Sequence, residues 1–510
     1  MRTTIRAHET VNDGQATLRY VDPATLVVGA NVRSDAQLDP EFVQSIKERG
    51  VREAIVAYAD ETGALVVLRG QRRTLAALET KCDVVPVLVE PKPDEPDRLV
   101  DQLGENDHRR ALRAGDRVAA FEQLAAFGVT RAQIAKRTST PRPVVDAALA
   151  VAGSEVARSA ANRWDWLDIP KAAILAEFED DREAVKELAV AAREGGFDHT
   201  VQRLRDARAE ARAKAEAAAA LTAVGVSVVE RPDWSVERFM RLRMLKHGDA
   251  PLTVENHASC PGHAAYLTSD WVHPDESDEE EDSFDNGTEQ EAVGPQARPE
   301  PYRVWVPEYL CMDAAAHGHV PRFGGHDSGT GRKKAADMND TEREQARTQR
   351  RDVIDSNKAW ESAEKVRRQW LRTFLQGRKA PTSAAAFIAG SLARTDFEVT
   401  QAVSGGNQLA HELLGLADQA PKFGRHSAAM VEVVGKASDS RAQMIALGLI
   451  LAAYEEGTDR NCWRAGRDSI ARYLRYLEAN GYELSTVEKR ACGEKPSAAA
   501  TSPVPQPAAA

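Results

Sequence analysis

The sequence contains no apolar run of about eighteen residues and no charged-then-apolar leader at Met1, so a membrane span is not expected and a cytoplasmic protein is. It has only 5 cysteines in 510 residues (Cys82, Cys260, Cys311, Cys462 and Cys492), too few and too scattered for a disulfide framework. Aromatic residues make up 6% while alanine is abundant, which points to a mostly helical chain. Positive charge is also not in excess, since the formal net charge is −11. That balance comes almost entirely from one stretch. Asp275, Glu276, Asp278, Glu279, Glu280, Glu281, Asp282, Asp285, Glu289 and Glu291 lie between Pro274 and Pro295 with no basic residue among them. The rest is close to neutral, so local basic surfaces remain open to nucleic acid. With 42% hydrophobic and 28% charged residues, about two to four domains with real cores are expected.

One stretch organises the front of the chain. The apolar run from Ala64 to Leu68 reads as a buried strand, Gly70 ends it, and Arg72 and Arg73 open a helix with Leu75, Ala76 and Leu78 inward. A strand, a glycine and a helix start offer backbone N–H groups to an anion, and two guanidinium forks suit phosphate oxygens. The same residues also read as two solvated arginines on an ordinary helix. Around them, residues 39–49 form an amphipathic helix through Phe42, Ile46 and Arg49, with Gly50 as its C-cap. Residues 54–58 form a strand, and 84–89 another whose internal Pro86 suggests an edge. Asp60-Glu61-Thr62-Gly63 is a hairpin-type turn.

Further on, Glu105, Asn106 and Arg109 share a helix, with Glu105 and Arg109 four apart on one face, which is also the spacing of a plain surface ion pair. Residues 129–150 have helix-turn-helix spacing. Thr130 is a candidate N-cap, Ile134 and Ala135 face inward, and Val145, Ala148 and Leu149 face inward from a second helix. Arg131, Gln133, Lys136, Arg137, Thr140 and Arg142 are the residues it offers to phosphates or base edges. Ser139 stands where such turns usually carry glycine.

This order, with its G-x-R-R and E-N-x-x-R boxes, resembles the ParB/RepB/Spo0J family of DNA-partition proteins over roughly residues 18–225, in an actinobacterial plasmid-like form with an extended C-terminal region. Asn31 and Arg33 stand where that family has an asparagine and an arginine after its first strand. The resemblance implies CTP with Mg2+, held by Gly70, Gln71, Arg72, Arg73, Glu105, Asn106 and Arg109. Carboxylate and amide oxygens suit Mg2+. It also implies double-stranded DNA as partner, a homodimer closing into a clamp, a ParA-type ATPase, and nucleoid or plasmid association. Gln71 replaces the family's usual glutamate, and a neutral amide cannot act as a carboxylate base, so weak CTPase activity at most is expected. Arg52-Glu53 stands where the family often has Gln-Pro. Two other readings stay open: a transcriptional or plasmid-copy regulator without clamp activity, and a phosphotransferase or nuclease on a related fold.

The second constellation is Cys260-Pro261-Gly262-His263 with Cys311, His317 and His319. Thiolates and imidazoles at these spacings fit structural tetrahedral zinc, held by Cys260, His263, Cys311 and one of His317 or His319. The expected architecture is α+β. A mobile N-terminus (1–17) precedes a small mixed α/β nucleotide-binding domain (18–98) and an all-helical DNA-binding domain (99–225). A zinc-binding α/β insert (226–321) follows, interrupted by a disordered acidic loop (274–297). A linker (322–340), a helical C-terminal domain (341–490) and a disordered tail (491–510) complete the chain. In 201–221, Arg203, Arg205, Arg208 and Arg212 read as a solvated face paired with Asp206 and Glu210.

Overall fold

A computed structural model of the chain describes residues 16–28, 38–109, 112–232, 239–272, 302–322, 339–417 and 427–494. They fall into two compact units, Met1–Gly195 and Gly196–Ala510. Asn31, Arg33, the acidic loop, nearly all of the expected linker and the last residues of the tail lie outside the described residues, as does all but the end of the expected mobile N-terminus. No helix among the described residues is long and apolar enough to cross a membrane.

The first unit opens with a five-stranded sheet of β1 (Thr17–Val21), β2 (Leu26–Val28), β3 (Ile55–Ala59), β4 (Leu65–Arg69) and β5 (Val85–Glu90), in the order β1-β5-β3-β4-β2. Ile55, Ala57, Leu65, Val67, Val85 and Val87 alternate with half-exposed or exposed neighbours and form the buried face. Asp60 makes the β3–β4 turn, accepting from the backbone N–H groups of Thr62 and Ala64 at 2.8 and 2.9 Å. Helix α1 (Pro40–Arg49) starts at Asp39, whose carboxylate accepts from the Glu41 N–H, and ends at Gly50 with φ +67°.

Two local expectations change. Strand β5 is internal, between β1 and β3, although it contains Pro86. Its pairing with β3 begins only at Val87, opposite Ile55, so Pro86 faces a partner strand on the β1 side alone and its missing N–H breaks no ladder to β3. On α2 (Gln71–Glu79) the buried residues are Thr74, Ala76 and Ala77, while Leu75 is half-buried and Leu78 faces out. Small side chains occupy the inner face because α2 packs closely on α1, β2 and β3.

Helices α3 (Glu95–Arg109), α4 (Ala114–Ala126), α5 (Arg131–Arg137), α6 (Arg142–Gly153), α7 (Glu155–Arg163), α8 (Ile169–Glu177) and α9 (Arg182–Glu194) complete the first unit. Phe121, Leu124, Ile134, Val145, Ala148, Leu175 and Leu188 are fully buried among them. Helix α5 begins in a capping box of Thr130 and Gln133. The turn before α6 passes through Ser139 with φ +51°, a left-handed conformation that costs a residue with a Cβ about 1–2 kcal/mol.

In the second unit, α10 (Phe197–Ala223) leads to β6 (Ser227–Val228), β7 (Met240–Arg241), β8 (Leu245–His247), β9 (Ala250–Pro251), α11 (Val254–His257), β10 (His263–Val272), β11 (Tyr302–Cys311) and β12 (Val320–Pro321). Strands β10 and β11 pair antiparallel from His263 opposite Cys311 to Val272 opposite Tyr302, with β6 and β7 on the two sides of this hairpin. Whereas the sequence reading places residues 197–223 with the DNA-binding helices, α10 packs on α12 (Asp340–Leu375) within the second unit. Asp206 and Glu210 accordingly bond Lys365 and Lys358 of α12, at 2.7 and 2.6 Å, and are not merely partners for arginines on their own helix.

The remaining helices are α13 (Ala384–Arg394), α14 (Phe397–Gly405), α15 (Gln408–Leu413), α16 (Ala428–Lys436), α17 (Asp439–Glu456), α18 (Cys462–Ala465), α19 (Asp468–Ala479) and α20 (Thr486–Ala491). With α12 they enclose a core that includes Trp360, Leu371, Leu447, Leu451, Tyr473 and Leu474. Within it Arg367 is fully buried. Its guanidinium grips Glu455 through Nε and Nη2, at 2.8 and 3.1 Å, and reaches Glu488 through Nη1 at 2.7 Å. Tyr473 and Tyr482 donate to the same carboxylates at 2.7 and 3.0 Å. Burial works against the charge on Arg367, but Glu455 and Glu488 overcome it and hold the group well above its ordinary pKa.

Two outcomes are expected from this framework. Arg367→Met leaves two buried carboxylates without their cation and lowers stability by about 3–5 kcal/mol in urea unfolding of the full chain. At the α5–α6 turn, Ser139→Gly raises the melting temperature through a gain of up to about 1 kcal/mol, and Ser139→Val lowers it, because only glycine adopts this backbone without strain.

Candidate functional site

At the β4–α2 junction Gly70 adopts φ +95° and caps α2 without a side-chain hydrogen bond. A Cβ there would sit 3.4 Å from the backbone of Ile55 and from Nε of Arg73. The backbone conformation therefore favours glycine, while the added carbon itself would make an ordinary contact. The two arginines behave differently. Arg73 folds back beneath the turn, donating to the carbonyls of Glu53 and Ala54 at 2.9 and 3.0 Å and lying 3.2 Å from the Glu53 carboxylate. Arg72 is exposed, with its guanidinium 5.2 Å from the centre of the Phe42 ring on α1. The junction thus presents a helix start and one accessible guanidinium to an anion, while the second guanidinium ties the turn to the loop before β3. Gln71 is half-buried at the first position of α2.

Glu105, Asn106 and Arg109 lie on the last turns of α3, and their side chains are outside the described residues. Helix α3 is linked to α5 by an ion pair between Asp97 and Arg137. On α5 and α6, Arg131 and Arg142 are exposed and both approach Asp146, at 3.5 and 3.7 Å. Lys136 is exposed and Thr140 half-buried. The Gln133 side chain accepts from the Thr130 N–H at 3.0 Å, so as placed it caps α5 and does not reach outward to a base edge.

The second unit holds a cluster of sulfur and nitrogen donors. His257, Cys260, Cys311 and His319 each bring one ligand atom to within 4.8 Å of all the others. Cys260 and His319 are half-buried, while His257 and Cys311 are buried. Local turns set the positions. Thr253 and Asn256 form a capping box that starts α11 and delivers His257 at its end. The Cys260 N–H then bonds the His257 carbonyl at 3.0 Å, and the His263 N–H bonds the Cys260 carbonyl at 2.9 Å. On the other arm the His319 N–H bonds the Ala314 carbonyl at 2.9 Å. Gly262 sits where a Cβ would fall 2.7 Å from the Cys311 sulfur and 2.8 Å from His317, so only glycine lets the arms close.

Of the histidines singled out from sequence, His319 is in the four-donor group, and His263 and His317 are not. Nδ1 of His263 lies 2.9 Å from Nδ1 of His257, and its ring stacks on Tyr309. His317 lines a cavity of about 400 Å³ shared with His247, His257, Cys260 and His319. His257 was not anticipated. It stands three residues before Cys260, as His263 stands three after, and spacing alone does not separate the two. The threonine and asparagine that cap α11 are the available signal. Burial, reinforced by the imidazoles of His263, His319 and His317, pushes His257 down to about 4. Burial likewise pushes the Cys311 thiol up to about 11.

No protein-family model matches the chain. A probable chromosome-partitioning protein ParB from Treponema pallidum is 29% identical over 140 residues, a match spanning 27% of this chain and 43% of that protein's length. Two crystal structures of C-terminally truncated ParB from Caulobacter crescentus also match. The one complexed to the centromeric parS site is 18% identical over 34% of this chain and 95% of its own, with a TM-score of 0.27. The other, complexed with CTP-gamma-S, is 20% identical over 34% and 98%, with a TM-score of 0.17. Superpositions this loose carry no residue correspondences. The chain is thus similar to ParB over about a quarter of its length and spans less than half of that relative, and it carries G-x-R-R and E-N-x-x-R boxes of its own.

Proposed function

We propose that this chain is a sequence-specific DNA-binding protein of chromosome or plasmid partition, whose α5–α6 pair reads double-stranded DNA and whose β4–α2 junction takes a nucleoside triphosphate. CTP with Mg2+ is the ligand the family relationship implies, and a second copy of the chain is the partner with which it would close around DNA. The observation that carries the proposal is the position of α3 in the first unit. Asp97 in its first turns is paired with Arg137 of α5, and Glu105, Asn106 and Arg109 lie about 12–18 Å further along the same helix. On this reading one helix would join the expected metal and phosphate residues to the DNA-reading pair, so that its displacement would move both.

The residues of the junction suit a phosphate. Arg72 donates to it, the first turn of α2 faces it with its positive end, and Gly70 lets it approach the backbone. Arg73 holds the turn in shape. Glu105 and Asn106 supply the oxygen donors that Mg2+ prefers, and the bound ion would neutralise phosphate charge. Gln71 provides no carboxylate to activate water, so the nucleotide acts by being held, with slow turnover at most. On the DNA side, Lys136, Arg131 and Arg142 meet phosphates or base edges, with phosphate displacing Asp146 from the two arginines.

A second reading is favoured by Arg73, whose commitment to the Glu53 and Ala54 carbonyls is what a purely structural turn would show. In that case the protein is an operator-binding regulator indifferent to nucleotide. Titration of the purified full chain with labelled CTP and ATP, with and without DNA fragments recovered from chromatin mapping, separates the two. The partition reading expects CTP binding that one DNA sequence strengthens. Arg72→Ala then weakens CTP binding about 10- to 100-fold, the loss of a charged hydrogen bond worth about 1.5–3 kcal/mol, and leaves folding unchanged. Arg73→Ala, in contrast, lowers the melting temperature as well. Salt-sensitive DNA binding with no triphosphate bound at millimolar levels would leave only the regulator.

A further inference from the structure

We infer that His257, Cys260, Cys311 and His319 form a closed, structural Zn2+ centre that fastens the α11–β10 turn to the turn after β11. The inference is independent of the partition reading. The spacing of the donors is the first argument. For bond lengths of about 2.3 Å to sulfur and about 2.0–2.1 Å to nitrogen, the edges of a tetrahedron around zinc are about 3.4–3.8 Å. Cys260 Sγ and His319 Nε2 lie 3.5 Å apart, and all four donors fall within 4.8 Å of one another, so a small contraction completes the shell.

The second argument is an orphaned atom. His257 is 1% exposed, and its Nε2 is buried without a hydrogen-bond partner. Its Nδ1 faces Nδ1 of His263 at 2.9 Å, so a proton on His257 Nδ1 donated to His263 leaves the Nε2 lone pair for a cation. His263 is then a positioning residue that fixes the ring and tautomer of a ligand. Two thiolates and two imidazoles in a tetrahedron select zinc over hard cations such as Mg2+ or Ca2+, and two thiolates neutralise its charge.

The third argument is the size of the core beneath it. Leu242, Leu245, Leu252, Cys311 and Ala314 are the buried apolar residues around the cluster, too few to hold this small module of short strands alone. Cys260 precedes β10 and Cys311 ends β11, so a metal held by both offsets part of the chain entropy lost in bringing the two arms together.

The test is metal analysis of the full chain purified under reducing conditions, followed by exchange of the metal for Co2+. One zinc per chain is expected, and Co2+ should show intense tetrahedral d–d bands with thiolate charge transfer. His257→Ala should lose the four-coordinate spectrum. His263→Ala should keep it with affinity lowered about 10- to 100-fold in chelator competition, and His317→Ala should leave both within two-fold. If the ligand variants do not fold, the wild-type Co2+ spectrum decides. Overturning results are a reduced wild-type chain that neither carries zinc nor takes up Co2+, a Co2+ spectrum without thiolate bands, or a spectrum that survives His257→Ala and disappears with His263→Ala or His317→Ala.

Discussion

A polar group taken out of water has to find a partner or cost several kcal/mol, and this constraint governs the three places on which the chain turns. At the β4–α2 junction it is met by backbone, since Arg73 lies under Gly70 and satisfies two carbonyls of the loop before β3. In the C-terminal helices it is met by a full network in which Arg367 is shared between Glu455 and Glu488 and both carboxylates accept from tyrosines. At the Cys/His cluster it is met only in part, for His257 has one ring nitrogen bonded and the other without a partner. The first two places are complete within the protein. The third leaves a buried ring nitrogen open within the protein, at the place where the inferred zinc would bind.

Within the first unit, the division of labour between Arg72 and Arg73 changes how its basic pair is understood. Two adjacent arginines at a helix start point in directions about 100° apart, so one can lie inward along the turn while the other remains in solvent. The inward one preserves the left-handed glycine and the start of α2. Only the outward one is free to respond to a phosphate without loosening the fold. Helix α3 then connects this end of the unit to α5, and the Asp97–Arg137 pair that joins them is exposed and individually weak.

The second unit has a different organisation. Helices α10 and α12 are bound by Asp206, Glu210, Lys358 and Lys365, and Arg303 of the hairpin joins the same charged seam through Glu361 at 3.2 Å. The hairpin is thereby anchored on the helices near its Tyr302 end, and the donor cluster forms at the other end, beside Cys311. The acidic run falls in the connection at the opposite end, beyond Val272 and Tyr302.

Much of this was legible in residue order. Apolar runs marked three strands of the first sheet, β3, β4 and β5, Asp39 and Gly50 bracketed α1, and the strand–glycine–helix junction at Gly70 was readable because these signals are local and act through backbone geometry alone. The burial of Ile134, Val145 and Ala148 followed from helical spacing for the same reason. Only the folded chain decided which strand was flanked on both sides, since Pro86 is tolerated between two neighbours because β3 starts one residue later. It also decided that α10 belongs with α12, because a long helix carrying charges all round reveals its partner only when opposite charges meet across space. And it brought His257 rather than His263 into the four-donor group beside Cys260, since spacing on the two sides of that cysteine is the same and the difference lies in a turn that buries one ring among the donors and stacks the other on Tyr309.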